Sequence, residues 1–183
     1  MRFFKLIRDS ESDSNANMCK IIGAEGLNEY TFFDSLPDSV YAEYDTSDGV
    51  SFSDYVTANL PLFIITSKFK SLFEKFTVQE ILYIPIKAIE KNIRTETILY
   101  VANIKTVLDA LDLSKSMYSY FKYGSDKQYL SVIKYGLKRS IVKDHRIFRL
   151  KDGVLDTIFV REDIKEAIIK EKITGCDFVE VRT

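Results

Sequence analysis

The last part of the chain carries the pattern that most narrows its fold: a strand, a helix and a strand in succession. Residues 157–160 (TIFV) form a short apolar run, which is typical of a buried strand. Ile164 and Ile168 then recur at helical spacing, so the next segment is predicted to be a helix with one apolar stripe. Gly175 stands where the turn after a helix often needs a positive φ. Residues 178–181 alternate as a closing strand.

A second helix and several strands are predicted before this unit. Apolar residues at helical spacing predict a helix from about Ser67, with Thr66 or Ser67 as its N-cap: Phe69, Leu72, Phe73 and Phe76. Pro85 removes one backbone donor from its strand and predicts an edge strand or a bulge there. Apolar runs predict the remaining strands: 2–7, 60–65, 81–89, 97–104, 129–135 and 140–150, with 117–123 as a strand or turn and 30–59 as short strands and turns.

These elements predict an α+β fold with a mixed, largely antiparallel sheet and a few short helices, ending in the strand–helix–strand unit. The 183 residues predict a single domain, in which residues 1–59 form an acidic N-terminal portion. The apolar fraction of 46% excludes a disordered chain. No apolar run approaches the roughly 18 residues of a membrane span, and the N-terminus lacks a signal-peptide core. We therefore expect a cytoplasmic protein, with Cys19 and Cys176 as reduced thiols.

Charge is distributed unevenly along the chain. Residues 1–60 hold 4 Lys/Arg and 11 Asp/Glu, whereas residues 61–183 hold 22 and 16. Within the acidic segment, defined as residues 30–59, every charged side chain is a carboxylate: Asp34, Asp38, Glu43, Asp45, Asp48 and Asp54. Aromatic residues lie between them, a mixture that suits binding to a basic protein partner. A solvated acidic loop is the alternative.

The sequence offers no convincing catalytic or metal-binding set. His145 is the one histidine and stands beside cationic residues, so it is a poor candidate for a catalytic base. Asp109 and Asp112, which precede two serines, form a small polar group that suits either acid–base chemistry or a capped turn, and we favour the turn. No phosphate-binding glycine loop or zinc motif occurs. We expect no catalytic residue, no metal and no cofactor, with an enzyme using these three residues as the third possibility.

Residues 115–139 interleave tyrosines with lysines and offer an alternative function. Tyrosine beside a cation is a common way of holding single-stranded nucleic acid, so this segment suits a nucleic-acid or small-ligand binding module. Tyrosines on the half-buried face of a sheet, with lysines on the other face, explain the same pattern. A net charge of −1 and a pI of about 5.9 weigh against nucleic acid.

Five stretches, taken in order, resemble a known family: 62–69 (LFIITSKF), 112–116 (DLSKS), 145–150 (HRIFRL), 158–160 (IFV) and 173–178 (ITGCDF). Their order and spacing over residues 60–181 are similar to the bacterial polymorphic-toxin immunity family numbered eleven, formerly a family of unknown function. One departure is Arg161, where the family tends to place serine or a similar capping residue.

The resemblance implies an immunity protein that binds and neutralises a cognate toxin in bacterial competition, without catalysis of its own. A nuclease-like or otherwise basic toxin is the preferred partner, because the acidic segment complements a basic cleft. The resemblance implies no catalytic residues.

Overall fold

The computed structural model describes residues 1–9, 18–24, 34–47, 52–76, 80–122, 128–151 and 157–183, with only the backbone of residues 128 and 129. These residues form thirteen strands, three α-helices and one 3-10 helix at Leu113–Lys115. The helices are α1 (Ser67–Glu74), α2 (Arg139–Val142) and α3 (Glu162–Lys170). The strands are β1 (Phe3–Arg8), β2 (Lys20–Ile22), β3 (Tyr41–Tyr44), β4 (Tyr55–Val56), β5 (Ile64–Ile65), β6 (Ile81–Glu90), β7 (Glu96–Ile104), β8 (Val107–Leu108), β9 (Met117–Lys122), β10 (Gln128–Lys134), β11 (Ile147–Leu150), β12 (Ile158–Arg161) and β13 (Cys176–Val181).

A five-stranded sheet joins the two ends of the chain. Its strand order is β13-β1-β12-β11-β8, and every pair is antiparallel except β11 with β8. Strand β1 lies between the two late strands, so Phe3 is opposite both Arg161 and Val181. At β1 and β12 both faces of this sheet are buried: Phe4 packs in one core cluster, and Phe3 in another with Phe159. This explains why residues 158–160 are an unbroken apolar run.

A six-stranded sheet has the order β2-β3-β6-β7-β5-β4 and is also mixed, since β3 runs parallel to β6. Strand β6 pairs with β7 over nearly its whole length. On its other side, β3 pairs only with Ala88–Glu90. Pro85 therefore lies where β6 has no second partner strand among the described residues. Its missing N–H leaves no strand on that side without a donor, as the edge prediction requires.

Helix α1 follows the predicted apolar stripe. Phe69, Leu72 and Phe73 are buried between the two larger sheets, and Phe69 and Phe73 stack with ring centroids 4.6 Å apart. The predicted N-cap is confirmed, because the Thr66 hydroxyl accepts from the backbone N–H of Phe69 at 3.4 Å. The helix ends at Glu74, so Phe76 lies just beyond it.

Helix α3 begins directly after β12 without a side-chain cap. Arg161 stands at the N-cap position, but its guanidinium instead binds both carboxylate oxygens of Asp163 at 2.7 and 2.8 Å. The first helical N–H, that of Glu162, donates to the carbonyl oxygen of Arg2 at 3.1 Å. Two carboxylates in the first turn also complement the positive end of the helix dipole. Arg161 therefore does not prevent a helix start here.

The turn after α3 differs from the prediction. Lys172, with φ of 51°, is the left-handed residue that ends the helix, and the N–H of Ile173 bonds back to the carbonyl oxygen of Ile168 at 3.1 Å. Gly175 does have a positive φ, 78°, but it lies farther on, immediately before β13. The prediction of a positive φ at Gly175 is confirmed, whereas its assignment to the helix end is wrong.

The predicted strands at 140–150 are only partly correct. Residues 139–142 form helix α2, and the strand there begins at Ile147. Val142 is fully buried in the same cluster as Phe148, so this residue of α2 serves the core as one in a strand would have done. Short apolar runs do not separate helix from strand by period, which is why the prediction fails here.

The α+β class, the mixed sheets and the closing strand–helix–strand unit are confirmed. The remaining pair, β9 and β10, forms a separate two-stranded antiparallel sheet. No described helix is long and apolar enough to cross a membrane. Cys19 and Cys176 are both free thiols, and burial raises the pKa of Cys19 to about 12.

Candidate partner-binding surfaces

The six carboxylates of the acidic segment do not form one surface. Asp34 and Asp38 are exposed, and Asp48 lies outside the described residues. Glu43 is half-buried on β3, opposite Lys20 of β2. Asp45 is held locally, because its carboxylate accepts from the N–H of Ser47 at 2.9 Å. Of the described members, Asp34 and Asp38 are the two that face solvent most openly.

Asp54 is built into the interior of the fold. Its side chain is 12% exposed and joins three segments that are distant in sequence. One carboxylate oxygen accepts from the Thr66 hydroxyl at 2.7 Å, and the other accepts from the Thr174 N–H and the Lys68 ammonium, each at 3.0 Å. Burial alone would raise the pKa of Asp54, but these bonds outweigh it and hold the pKa below its ordinary value.

The described aromatic residues of the acidic segment pack inward. Tyr44 and Phe52 make an edge contact with ring centroids 5.1 Å apart, and Tyr55 contacts Phe63 at 4.9 Å. Phe32 and Phe33 lie outside the described residues. The described part of the acidic segment therefore offers charge but no exposed aromatic anchor.

The tyrosine- and lysine-rich segment has the opposite character. Strands β9 and β10, here called the aromatic ribbon, pair with each other and make few contacts with the other described elements. All six side chains of β9 are exposed, without the alternation of a half-buried strand. The expected sheet face with buried tyrosines is therefore absent from β9. Tyr135 is buried, but it lies beyond the end of β10.

The three candidates for catalysis lie in unrelated settings. Asp112 caps the 3-10 helix, accepting from the Ser114 N–H at 3.1 Å, so the predicted capped turn is confirmed. Asp109 pairs with Lys138 at 3.1 Å. The Nδ1 atom of His145 lies 3.8 Å from a carboxylate oxygen of Glu80. Within the described ranges, no group of three His, Cys, Asp or Glu side chains could hold a metal ion.

An ion-pair cluster near His145 escaped the sequence patterns. Arg146 lies 3.2 Å from Asp163, which Arg161 already holds, and also donates to the carbonyl oxygen of Phe76 at 2.9 Å. Burial raises the pKa of nearby Glu80, although the surrounding cations oppose this shift. These residues come from three separate parts of the chain, around 76–80, 145–146 and 161–163, so no local spacing could have grouped them. The cluster ties α3 to the end of α1.

The family model of the immunity protein family Imm11 matches residues 11–183. The chain belongs to this family. The match extends farther toward the N-terminus than the five stretches in which the resemblance was seen, and it includes the acidic segment. Membership of Imm11 implies neutralisation of a toxin and does not identify that toxin. No curated protein matches the chain.

Proposed function

We propose that this Imm11 protein binds a cognate toxin directly and neutralises it by contact, with no catalytic step of its own. The observation that carries the proposal is the family match over residues 11–183. The separate settings of Asp109, Asp112 and His145 support it, since a catalyst needs its groups within hydrogen-bond reach of one reacting atom. We place the encounter in the cytoplasm, where buried thiols such as Cys19 stay reduced.

The test of this function is protection of cells that express the toxin encoded beside this chain's gene. We expect wild type and the triple variant His145→Ala/Asp109→Asn/Asp112→Asn to protect equally, because none of the three residues has a chemical role. Purified variant should also still bind the toxin. A folded triple variant that binds but no longer protects would favour an enzyme, and a wild type that neither binds nor protects would refute the proposed function.

We further propose that the acidic segment steers encounter with a basic region of the toxin. Asp34 and Asp38 are its exposed carboxylates, with Glu43 partly accessible. The variant Asp34→Asn/Asp38→Asn/Glu43→Gln is expected to lower the association rate about threefold or more at low salt, and to flatten its salt dependence. Stopped-flow mixing with the toxin measures both quantities.

The matched control for steering removes three carboxylates elsewhere: Asp144→Asn/Glu166→Gln/Glu96→Gln. Both variants change net charge equally, so a general charge effect would slow both. If the two variants associate at the same rate, the acidic segment does not steer. Asp54 is left unchanged in this design, because its bonds to Thr66 and Thr174 make it a stability residue.

The exposure of the ribbon favours a second candidate function: a nucleic-acid or small-ligand binding module that uses residues 115–139. Tyr120 is 55% exposed, two residues from Lys122, an arrangement that single-stranded nucleic acid could stack upon. The experiment on the ribbon below separates this function from toxin binding.

A further inference from the structure

We propose that the aromatic ribbon inserts into a cleft of the toxin that is lined by carboxylates, so that both of its faces become covered. The inference rests on the proposed function and names the part of the chain that makes the central contact. It differs from the steering proposal, because the ribbon and the acidic segment belong to different sheets and have opposite charge.

Exposed apolar side chains are concentrated at the ribbon. Six of the fourteen large exposed hydrophobic residues in the described ranges lie between residues 113 and 133: Leu113, Met117, Tyr118, Tyr120, Phe121 and Ile133. Single exposed hydrophobics are normal on a protein surface, but a contiguous group marks an interaction site. Aromatic side chains supply much contact area at a low cost in conformational entropy, as the anchors of an interface do.

The two faces of the ribbon are both apolar, and this points to a cleft rather than a flat partner. Alternation along β9 places Tyr118 and Tyr120 on one face and Met117 and Phe121 on the other. The rings of Tyr118 and Tyr120 make an edge contact with centroids 5.6 Å apart. Exposed fractions are similar on the two faces, for example 55% for Tyr120 and 55% for Met117. A flat surface covers one face of a ribbon, whereas a cleft covers both.

The charge of the ribbon indicates the chemistry of that cleft. The described charged residues of β9 and β10 are Lys122 and Lys134, and neither makes an ion pair with the rest of the described chain. Lys151 is a further exposed lysine beside the base of the ribbon, lining a cavity with Leu130. Buried cations need partners of opposite charge, so a cleft that accepts this ribbon has carboxylates along its walls.

The base of the ribbon is fixed to the body, which prepares it for binding. The Ser116 hydroxyl accepts from the Gly136 N–H at 2.9 Å and donates to the carbonyl oxygen of Asp112 at 2.7 Å. Gly136 packs tightly against Lys115. A Cβ added at Gly136 would lie 2.7 Å from the carbonyl carbon of Lys115. The N–H of Leu137 also donates to the carbonyl oxygen of Arg182, the residue after β13, at 2.8 Å. A ribbon held at its base loses less freedom on binding.

A cavity at the foot of the ribbon can receive the rim of the cleft. Its volume is about 240 Å³, and its lining is mainly leucine, including Leu108, Leu111 and Leu130. A cavity of about 150 Å³ already holds a benzene-sized group, so one large apolar side chain fits here. Leu130 belongs to β10, so the cavity is continuous with the ribbon.

Aliphatic anchors favour a protein over nucleic acid as the occupant. Met117 and Ile133 are 55% and 63% exposed, and neither offers a flat face on which a base can stack. Nucleic acid would also need cations along a continuous track. Lys122 and Lys134 are each the last residue of one of two antiparallel strands, so they stand at opposite ends of the ribbon.

The test measures the affinity of variants for the purified toxin encoded beside this chain's gene. Tyr118→Ser/Tyr120→Ser changes one face, and Met117→Ser/Phe121→Ser changes the other. Because central anchors dominate interface energies, we expect each double variant to weaken binding by about 30-fold or more. Lys122→Glu/Lys134→Glu should weaken binding by at least as much. Far-ultraviolet circular dichroism and the melting temperature verify that each variant folds.

The controls change equally exposed residues elsewhere: Ile98→Ser/Val179→Ser for the anchors, and Lys105→Glu/Lys143→Glu for the charges. Both controls should bind within about twofold of wild type, as surface changes outside an interface usually do. Loss from only one face would replace insertion by flat docking and overturn the proposal. So would unchanged affinity of the ribbon variants while wild type still binds, a result that leaves the toxin-binding function intact.

Binding of a single-stranded oligothymidylate tests whether the ribbon holds nucleic acid instead of the toxin. We expect it neither to bind the wild-type chain nor to compete with the toxin. Binding that the Tyr118→Ser/Tyr120→Ser variant abolishes would assign the ribbon to nucleic acid and overturn insertion into a protein cleft. If wild type does not bind the toxin at all, the proposed function fails and the ribbon inference fails with it.

Discussion

Replacing Gly175 by valine is expected to lower the free energy of unfolding by about 3 kcal/mol or more, since a β-branched residue at positive φ costs about 1–2 kcal/mol and a forced clash adds about 1–3. The φ of Gly175 is 78°. A Cβ at this position would lie 2.6 Å from the Ser53 hydroxyl oxygen and 2.8 Å from the Tyr55 carbonyl oxygen. The second atom belongs to the backbone of β4, so the valine cannot be accommodated by a side-chain rotation alone.

Urea unfolding of wild type, Gly175→Ala and Gly175→Val measures this effect. Alanine should cost less than valine, because it adds the clash without the β-branch. Lys172→Gly is the matched opposite, since Lys172 holds a positive φ of 51° without being glycine. Glycine there should raise stability by up to about 1 kcal/mol. Equal midpoints for Gly175→Val and wild type would mean that the backbone at Gly175 is ordinary.

Asp54→Asn is expected to cost about 2 kcal/mol of folding free energy, because it places an amide N–H₂ group against hydrogen-bond donors, among them the part-buried Thr66 hydroxyl. The carboxylate now accepts from Thr66, Lys68 and Thr174, and an asparagine has a single acceptor oxygen for these donors. The change loosens the start of α1 and the turn before β13 together. The control Asp34→Asn removes an exposed carboxylate and should leave stability within about 0.5 kcal/mol.

Acid should reduce the difference between wild type and Asp54→Asn. The pKa of Asp54 is lower in the folded chain than its ordinary value, so its carboxylate stabilises the fold above the unfolded pKa of about 3.9. That contribution is lost as the pH falls through the folded pKa, where the carboxyl becomes protonated. Unfolding midpoints at neutral pH and near pH 3 test this expectation, and a constant difference between the two proteins would contradict it.

Local patterns predicted helices α1 and α3 and most strands, because their cause is local, whereas α2 was predicted as a strand. The spacing of Phe69, Leu72 and Phe73 is enough to predict α1, and its N-cap was narrowed to Thr66 or Ser67, of which the structure shows Thr66. The strand–helix–strand unit at the end was predicted for the same reason. The resemblance to the immunity family, carried by a few short stretches, also proved correct.

The contributions of individual side chains were not predictable in the same way, since they depend on partners far along the chain. Nothing near Asp54 in sequence shows that Thr174 donates to it, so it was grouped with the exposed Asp34 and Asp38. The same limit applies to Gly175, whose neighbours in space are Ser53 and Tyr55. Both errors concern residues at the contact between the start of β4 and the turn before β13.

The exposure of the ribbon was beyond sequence patterns as well. Alternating tyrosines and lysines are compatible with a half-buried sheet, but among the described residues β9 makes nearly all of its contacts with β10, which leaves Tyr118 and Tyr120 in solvent. Which element covers the face of a strand is a property of the whole topology. A β-propensity argument at residues 117–122 cannot supply it.

The central place of β1 bears on when the protein can act during its synthesis. Strand β1 is synthesised well before the residues that flank it in the sheet, 158–161 and 176–181. At bacterial or eukaryotic translation rates of about 5–20 residues per second, the buried side chains of Phe3, Phe4 and Leu6 wait roughly 10–30 s for their partner strands. Nascent chains therefore cannot complete this sheet until residues 176–181 have been made, and we expect toxin binding only after that point. Chaperones that shield the first strand should raise the yield of active protein.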